Sequence, residues 1–379
     1  MRGPHVYGFV GIGPMRKSFQ ASGYNPAAGP QVHRRRTMAA RIAQTAGQEH
    51  TAILGLGVYR PARVVTNEEV AGPIDSSDEW IRTRSGIKTR RFASESETIQ
   101  SMSVAAARGA LESAAVAVDQ VDCVIVATST HLLLTPAAAP QIATELGMNG
   151  AAAFDISAGC AGFCHALALA SDLVRAGTSN HVLVIGVEKL TDTINPRDRS
   201  TAFLFADGAG AVIVGPSEEQ GIGPTVWGSD GTQSHAIRQD KNWVEFFAEI
   251  EEKGLGAVRP YLTMEGTAVF RWAAHSLEKV CRDAMDRAGL APEDMDAMIP
   301  HQANGRIIEI MARTLKLPEH CALANDIEET GNTSAASIPL AMEAMLRKNE
   351  AKPGDTALLI AFGAGLSYAA QVVKLPKWQ

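Results

Sequence analysis

An order of elements that occurs twice constrains this chain more than any other feature. In the first half, an apolar strand at Cys123–Thr128 leads on to Asp155-Ile156-Ser157-Ala158-Gly159-Cys160, a helix of small residues over Gly162–Ala176, and an apolar strand over His181–Val187. In the second half, a strand at Ala297–Ile299 ends in Pro300. It is followed by Asp326-Ile327-Glu328-Glu329-Thr330-Gly331-Asn332, another small-residue helix over Ala335–Arg347, and the strand Ala357–Phe362. Further strands are predicted at Ala152–Ile156, Ala211–Val214, Ala322–Asn325 and Ala369–Val373, and helices at Met102–Ala115, Val269–Ala288 and Gly305–Leu315. Short, wholly apolar strands need cover on both faces, so the pattern predicts an α/β fold with helix-covered sheets. Duplication of one unit puts the two turns on the same side of the molecule, facing each other across a pseudo-two-fold axis. The paired Asp-Ile steps set Asn332 opposite Cys160.

Those turns carry the chemistry. Cys160 lies where a strand gives way to a helix, within Ser157-Ala158-Gly159-Cys160-Ala161-Gly162-Phe163. Unpaired N–H groups and the positive end of a helix dipole stabilise a thiolate there, so the position predicts a reactive thiol. The bland alternative is a small buried hydrophobe, which suits Cys164, one turn on, better. His301 follows an apolar strand and opens His301-Gln302-Ala303-Asn304, where α/β proteins place functional groups. Asn332, in Gly331-Asn332-Thr333-Ser334-Ala335-Ala336-Ser337, sits before a helix; its bland alternative is a plain N-cap. Gly363-Ala364-Gly365 follows the last long strand, where backbone N–H groups can donate to a developing oxyanion. Together these residues predict a Cys-His-Asn site.

Two glycine motifs are decoys. Gly55-Leu56-Gly57 lacks the third glycine of a dinucleotide fingerprint, having Arg60 there, and Asp207-Gly208-Ala209-Gly210-Ala211 has no following Lys-Ser/Thr. The latter reads as a tight turn whose glycines admit close backbone packing before the strand Val212–Val214.

Charge excludes several function classes. The chain holds 35 basic and 41 acidic residues for a net of −6, but residues 1–48 hold seven basic and no acidic ones, leaving the rest at 28 − 41 = −13. A body so acidic repels nucleic acid and anionic membranes, and a phosphate-bearing ligand then needs a local basic patch. No stretch of about 18 strongly apolar residues suggests a spanning helix. The five cysteines (Cys123, Cys160, Cys164, Cys281, Cys321) are scattered, against a disulfide framework or zinc site and for a reducing, cytoplasmic setting. No cluster has metal-ligand spacing. The Arg-rich, acid-poor start admits a transit peptide; a start at Met38 or an unstructured tail is favoured, and twin-arginine export is not.

Residues 51–376 resemble the β-ketoacyl-[acyl-carrier-protein] synthase III family, especially its actinobacterial-type members, on the three strings around Cys160, His301 and Asn332. The Cys-His-Asn set separates this family from Cys-His-His elongating synthases and from thiolases. Plant-type polyketide synthases share the triad but not the surrounding strings. The resemblance implies a thiolase-like α/β fold of five layers, α-β-α-β-α, from two duplicated halves in a homodimer. The extension is then residues 1–50, the nucleophile half 51–222 and the His/Asn half 223–379. It implies that Cys160 takes an acyl group from acyl-CoA, its oxyanion held by the N–H groups of Cys160 and Ala364, where the family usually has Gly. His301 and Asn332 would stabilise the enolate formed as malonyl-acyl-carrier-protein loses carbon dioxide, starting fatty-acid synthesis with no redox or metal cofactor.

The same resemblance implies coenzyme A contacts at Trp80, Arg84 and Arg199, an acyl pocket at Thr135 and Phe205, and carrier-protein docking at Arg271, Arg306 and Arg313. A small Thr135, in a position that reaches across the dimer, implies primers larger than acetyl. Rival readings are priming of polyketide synthesis, acyl transfer to another acceptor, a cysteine hydrolase in which Asn332 orients His301, and a non-catalytic acyl-binding protein.

Overall fold

The computed structural model describes residues 42–43 and 45–378. The expectations for residues 1–41, including the start site, lie outside the described residues. Of the proposed extension 1–50, the last residues pack on the body: the Thr45 hydroxyl donates to Ala176 O and the Gln48 N–H to Val174 O.

In chain order, the first half supplies β1 (Thr51–Tyr59), β2 (Arg63–Thr66), β3 (Thr89–Phe92), β4 (Cys123–Ala127), β5 (Ala152–Ile156), β6 (Val182–Lys189) and β7 (Asp207–Pro216). The second supplies β8 (Val226–Ser229), β9 (Ile237–Gln239), β10 (Leu262–Met264), β11 (Ala297–Pro300), β12 (Ala322–Leu323), β13 (Thr356–Phe362) and β14 (Ser367–Lys374). The principal helices are α1 (Asp78–Ser85), α2 (Ile99–Ala114), α3 (Ala138–Leu146), α4 (Gly162–Arg175), α5 (Trp243–Lys253), α6 (Gly266–Arg287), α7 (Gly305–Leu315) and α8 (Ser337–Arg347).

The duplication is explicit in the sheets. One has the order β1-β7-β6-β4-β5, the other β8-β14-β13-β11-β12. In each, the first two pairings are antiparallel and the last two parallel. Strand alternation divides the core into layers. Val182 and Val184 of β6 face a central core with α4 and α8, and Leu183, Ile185 and Val187 face an outer layer with α2 and α3. The second sheet shares the central core and turns its other face to α6 and α7. The stack is therefore α2/α3, sheet, α4/α8, sheet, α6/α7, the five layers of a thiolase-like fold.

Two local expectations change. Asp207–Ala211 is the start of β7 rather than a turn, and the close packing there is between layers. A Cβ on Gly210 would lie 2.5 Å from Pro339 Cγ, so glycine is what lets the start of α8 approach the sheet. The Asp-Ile steps are also not equivalent. Asp155 lies on β5, its carboxylate accepting from Ala138 N and Ala139 N to cap α3, whereas Asp326 opens an extra helical turn, Ile327–Thr330. The single 3-10 turns that run into α4 and α8 are Gly159–Ala161 and Ser334–Ala336, so Ala335 is the counterpart of Cys160 and Asn332 stands three residues earlier. The other predicted elements form, with ends displaced by one to three residues as is usual.

Candidate active site

Both turns open on one cavity of about 520 Å³, lined by Cys160, His301, Asn332, Ala364 and Phe205 among others. Cys160 is half-buried, whereas Cys123, Cys164 and Cys281 are buried. Its turn depends on two glycines. Gly159 has φ +52°, a conformation that suits glycine, and a Cβ there would lie 2.9 Å from Ala364 N. Gly363 approaches from the opposite sheet, and a Cβ on it would lie 2.5 Å from Cys160 N. The backbone N–H groups of Cys160 and Ala364 thus border the same crevice, and neither donates to a carbonyl among the described residues. That is the arrangement an oxyanion requires.

The thiol departs from expectation. Burial pushes it up to about 12, the Glu188 carboxylate adds to the rise, and the Ser334 hydroxyl and the residue's own N–H only partly oppose it. Desolvation outweighs the helix N-terminus here, and the thiol is held neutral at pH 7.

His301 and Asn332 are each fixed by a neighbour. His301 Nδ1 lies 2.7 Å from Ser337 Oγ, which also accepts from Gln302 N. With the hydroxyl proton directed at Nδ1, the ring proton sits on Nε2. Burial holds the imidazole down at about 3, so the ring is neutral at pH 7. Asn332 Oδ1 accepts from Ser334 N at 2.8 Å, which leaves Nδ2 as the free donor. The capping role and the site role therefore coincide. Asn332 is held by backbone bonds to the segment carrying Phe205, with Asn332 N donating to Leu204 O and Ala206 N to Asn332 O. The cavity thus receives neutral N–H donors from two residues, suited to an oxygen that gains negative charge.

Toward the mouth, Trp80 on α1 has Arg199 at 4.8 Å and Arg84 at 5.7 Å from its ring, and all three residues line the cavity. Arg306 also lines it, 5.4 Å from the Phe270 ring; Arg271 and Arg313 lie exposed on α6 and α7, outside the lining. Thr135 is exposed and is not among the residues that line the cavity.

Two family profiles match the chain: 3-oxoacyl-[acyl-carrier-protein (ACP)] synthase III over residues 154–231, and the C-terminal part of that enzyme over 285–375. The β-ketoacyl-[acyl-carrier-protein] synthase III of Mycobacteroides abscessus is 57% identical over 335 residues, 88% of this chain and 98% of that one. The mycobacterial β-ketoacyl-[acyl-carrier-protein] synthase III of Mycolicibacterium paratuberculosis is 56% identical over 336 residues, covering 89% and 99%. The chain belongs to the β-ketoacyl-[acyl-carrier-protein] synthase III family. It is a condensing acyltransferase of fatty-acid biosynthesis. Among solved structures, the synthase III of Pseudomonas aeruginosa superposes with a TM-score of 0.79 at 36% identity over 87% of this chain and 99% of that one. The priming β-ketosynthase of the R1128 polyketide pathway gives 0.85 at 46%, over 89% and 99%.

Within this synthase III chain, four polar residues around the site went unread in the sequence. Ser337 orients His301, Ser334 fixes Asn332 and opposes the rise of the thiol, and the buried Glu188 accepts from the Ser129 hydroxyl at the cavity wall. Only Ser334 and Ser337 had a visible signal, as the hydroxyls that follow Asn332. Among the described residues, no group of three His, Cys, Asp or Glu side chains is placed to hold a metal, and no helix is long and apolar enough to cross a membrane.

Proposed function

We propose that Cys160 is the nucleophile of this condensing enzyme and that His301 and Asn332 bind the malonyl thioester. The Cys160 sulfur attacks the carbonyl of an acyl-CoA, and the tetrahedral oxyanion takes N–H donors from Cys160 and Ala364. Collapse expels the coenzyme A thiolate, which takes up the proton the Cys160 thiol gave up, so the step is a balanced thioester exchange. Malonyl-acyl-carrier-protein then presents its thioester oxygen to His301 Nε2–H and Asn332 Nδ2–H. Loss of carbon dioxide leaves an enolate whose carbon attacks the acyl-cysteine; the Cys160 sulfur departs as a thiolate and takes up a proton from solvent, and 3-oxoacyl-acyl-carrier-protein is released.

The observation that carries this reading is the pair of side chains, His301 and Asn332, each fixed by a hydroxyl or backbone partner, in the cavity that the thiol also lines. A Cys-His hydrolase needs its His to accept a proton, and a ring held down at about 3 is a poor base. Intact-mass measurement after addition of acyl-CoAs, then of malonyl-carrier protein, tests the reading. One acyl group on Cys160, discharged with carbon dioxide release, is expected. Acylation of Cys160→Ala, or discharge to water alone, would overturn it.

The finer readings follow from the surroundings. Trp80, Arg84 and Arg199 hold coenzyme A, and their charge offsets the acidity of the body. Arg271, Arg306 and Arg313 receive the acidic carrier protein. Phe205 walls the acyl pocket, and Thr135, contributed across a homodimer, leaves room for primers larger than acetyl. The dimer reading is supported by β5, an edge strand with Phe154 exposed, and by the exposed run Leu132–Leu134 before Thr135. The halves divide as 51–222 and 223–379, and the enzyme works in the cytoplasm. The likeness to the R1128 priming ketosynthase favours a second reading, in which this chain primes polyketide synthesis; comparing fatty-acid and polyketide carrier proteins as acceptors separates the two.

A further inference from the structure

Glu188, at the end of β6, is fully buried, and its carboxylate has no cation partner among the described ion pairs. It is surrounded by donors instead. Ser129 gives its N–H at 3.1 Å and its hydroxyl at 3.0 Å, Thr130 its hydroxyl at 2.6 Å, Thr128 at 3.3 Å and Ser334 at 3.0 Å. Burying a carboxylate this way is costly unless such bonds repay it, and an apolar side chain would serve packing better. The donors come from both halves of the molecule, from the end of β4 and from the turn before α8. Ser129, Ser334 and Cys160 all line the catalytic cavity.

Ser334 links this cluster to the nucleophile. Its backbone is held at φ +49°, its N–H is committed to Asn332, its hydroxyl donates to Glu188 at 3.0 Å, and from the cavity wall it shares with Cys160 that hydroxyl opposes the rise that burial and Glu188 impose on the thiol. A serine hydroxyl has a single proton to donate. Given to Glu188, that proton leaves only lone pairs toward the sulfur, which favours a thiol donating S–H to Ser334. Given to the sulfur, it stabilises a thiolate. The other titratable groups near the thiol are His301, from the β11 end, and Cys164, one turn along α4; His301 is held neutral and Cys164 is an undissociated buried thiol.

We propose that Glu188 is a positioning residue for the condensation: by holding the Ser334 hydroxyl proton it governs whether that hydroxyl can donate to the Cys160 sulfur, and so sets the reactivity of the nucleophile. While the carboxylate holds that proton, Cys160 stays a thiol. Formation of the thiolate turns the Ser334 hydroxyl proton from Glu188 to the sulfur, while the thiol proton leaves to the departing coenzyme A thiolate or, without substrate, to solvent. The inference rests on the reading of Cys160 as nucleophile, and a substrate-free measurement separates the two.

The test is the pH dependence of iodoacetamide alkylation at Cys160, followed by peptide mass, in the wild type, Glu188→Gln, Ser334→Ala and the double variant. Removing the charge weakens the acceptor that holds the hydroxyl proton, so Glu188→Gln should move the midpoint to lower pH by about one unit, a tenfold faster alkylation at pH 7.5. Ser334→Ala removes the donor and should move the midpoint to higher pH. In the double variant the Glu188→Gln acceleration should shrink by at least half, because it acts through Ser334. Shifts in the same direction for both single variants, or a Glu188→Gln effect undiminished in the Ser334→Ala background, overturn the proposal. If Glu188→Gln does not fold, as judged by circular dichroism, an unmoved midpoint in Ser334→Ala still overturns it. Failure of the nucleophile reading shows separately, as no acylation of wild-type Cys160 by acyl-CoA.

Discussion

Replacing Gly363 by Ala tests whether the two halves assemble the site through direct backbone contact. The added methyl carbon would stand 2.5 Å from Cys160 N, 3.0 Å from Cys160 Cβ and 3.1 Å from Cys160 Cα. Carbon and its neighbours settle at about 3.5 Å or more, so the two segments must part by about 1 Å. Gly363 is extended, at φ −170° and ψ −154°, so alanine brings no backbone strain and the effect is one of contact alone. A parting of that size moves the Cys160 N–H and sulfur together, away from the Ala364 N–H. A misplacement of about 1 Å near the reacting atoms costs about 100-fold in rate, and loss of one oxyanion donor costs about 100- to 1,000-fold. Single-turnover acylation of Cys160 by acyl-CoA, read by quenched-flow mass analysis, should therefore slow by about 100-fold or more. Overpacking should cost about 1–3 kcal/mol of stability, which leaves a folded protein. Alkylation by iodoacetamide needs no oxyanion and should change by less than about fivefold. Acylation within threefold of wild type would refute the reasoning, because the contact would then be absorbed elsewhere. An equal loss of alkylation and acylation would also refute it, since the defect would lie in the thiol and not in the oxyanion donors.

Two further outcomes follow from the charges. The His301 ring titrates near 6.5 when unfolded and at about 3 when folded, so its contribution to stability is complete above pH 6.5 and is lost as pH falls toward 3, at up to about 1.4 kcal/mol per pH unit. Asp207, pushed up to about 6 by burial, works in the opposite sense below that pH, so the check is the difference in urea midpoint between wild type and His301→Asn across pH 7 to 4.5; a constant difference would be inconsistent with a buried neutral ring. Reversing the charge of Arg271, Arg306 and Arg313 together should raise the KM for malonyl-carrier protein about tenfold or more and reduce its salt dependence, with acylation by acyl-CoA unchanged; equal damage to both half-reactions would remove the patch from the docking surface.

What the sequence disclosed and what it withheld divide along a physical line. Continuous apolar runs such as Val182–Val187 and small-residue helices such as Gly162–Arg175 encode their own burial, so the layers and the strand ends that hold Cys160 and His301 were legible from pattern alone. The repeat was legible too, but its register was not: the extra turn Ile327–Thr330 shifts Asn332 off the counterpart of Cys160, and a local Asp-Ile match cannot register an insertion that the sheet topology reveals. The excursion around α5, between β9 and β10, left no strand-helix alternation to read, because its helix buries no residue at all.

The deeper gap is electrostatic. A helix N-terminus beside Cys160 argues locally for a thiolate, yet the sign of the shift is decided by groups remote in sequence. Glu188 arrives 28 positions later and Ser334 another 146 after that, and the desolvation that dominates comes from packing one half on the other. The same holds for His301, whose tautomer depends on Ser337. Residue types name the reaction; which atom holds each proton is a property of the assembled halves. A synthase of this kind therefore tolerates change at its exposed side chains far better than at the serines around its two turns, where Ser334 and Ser337 hold Asn332 and His301 and Ser129 holds Glu188.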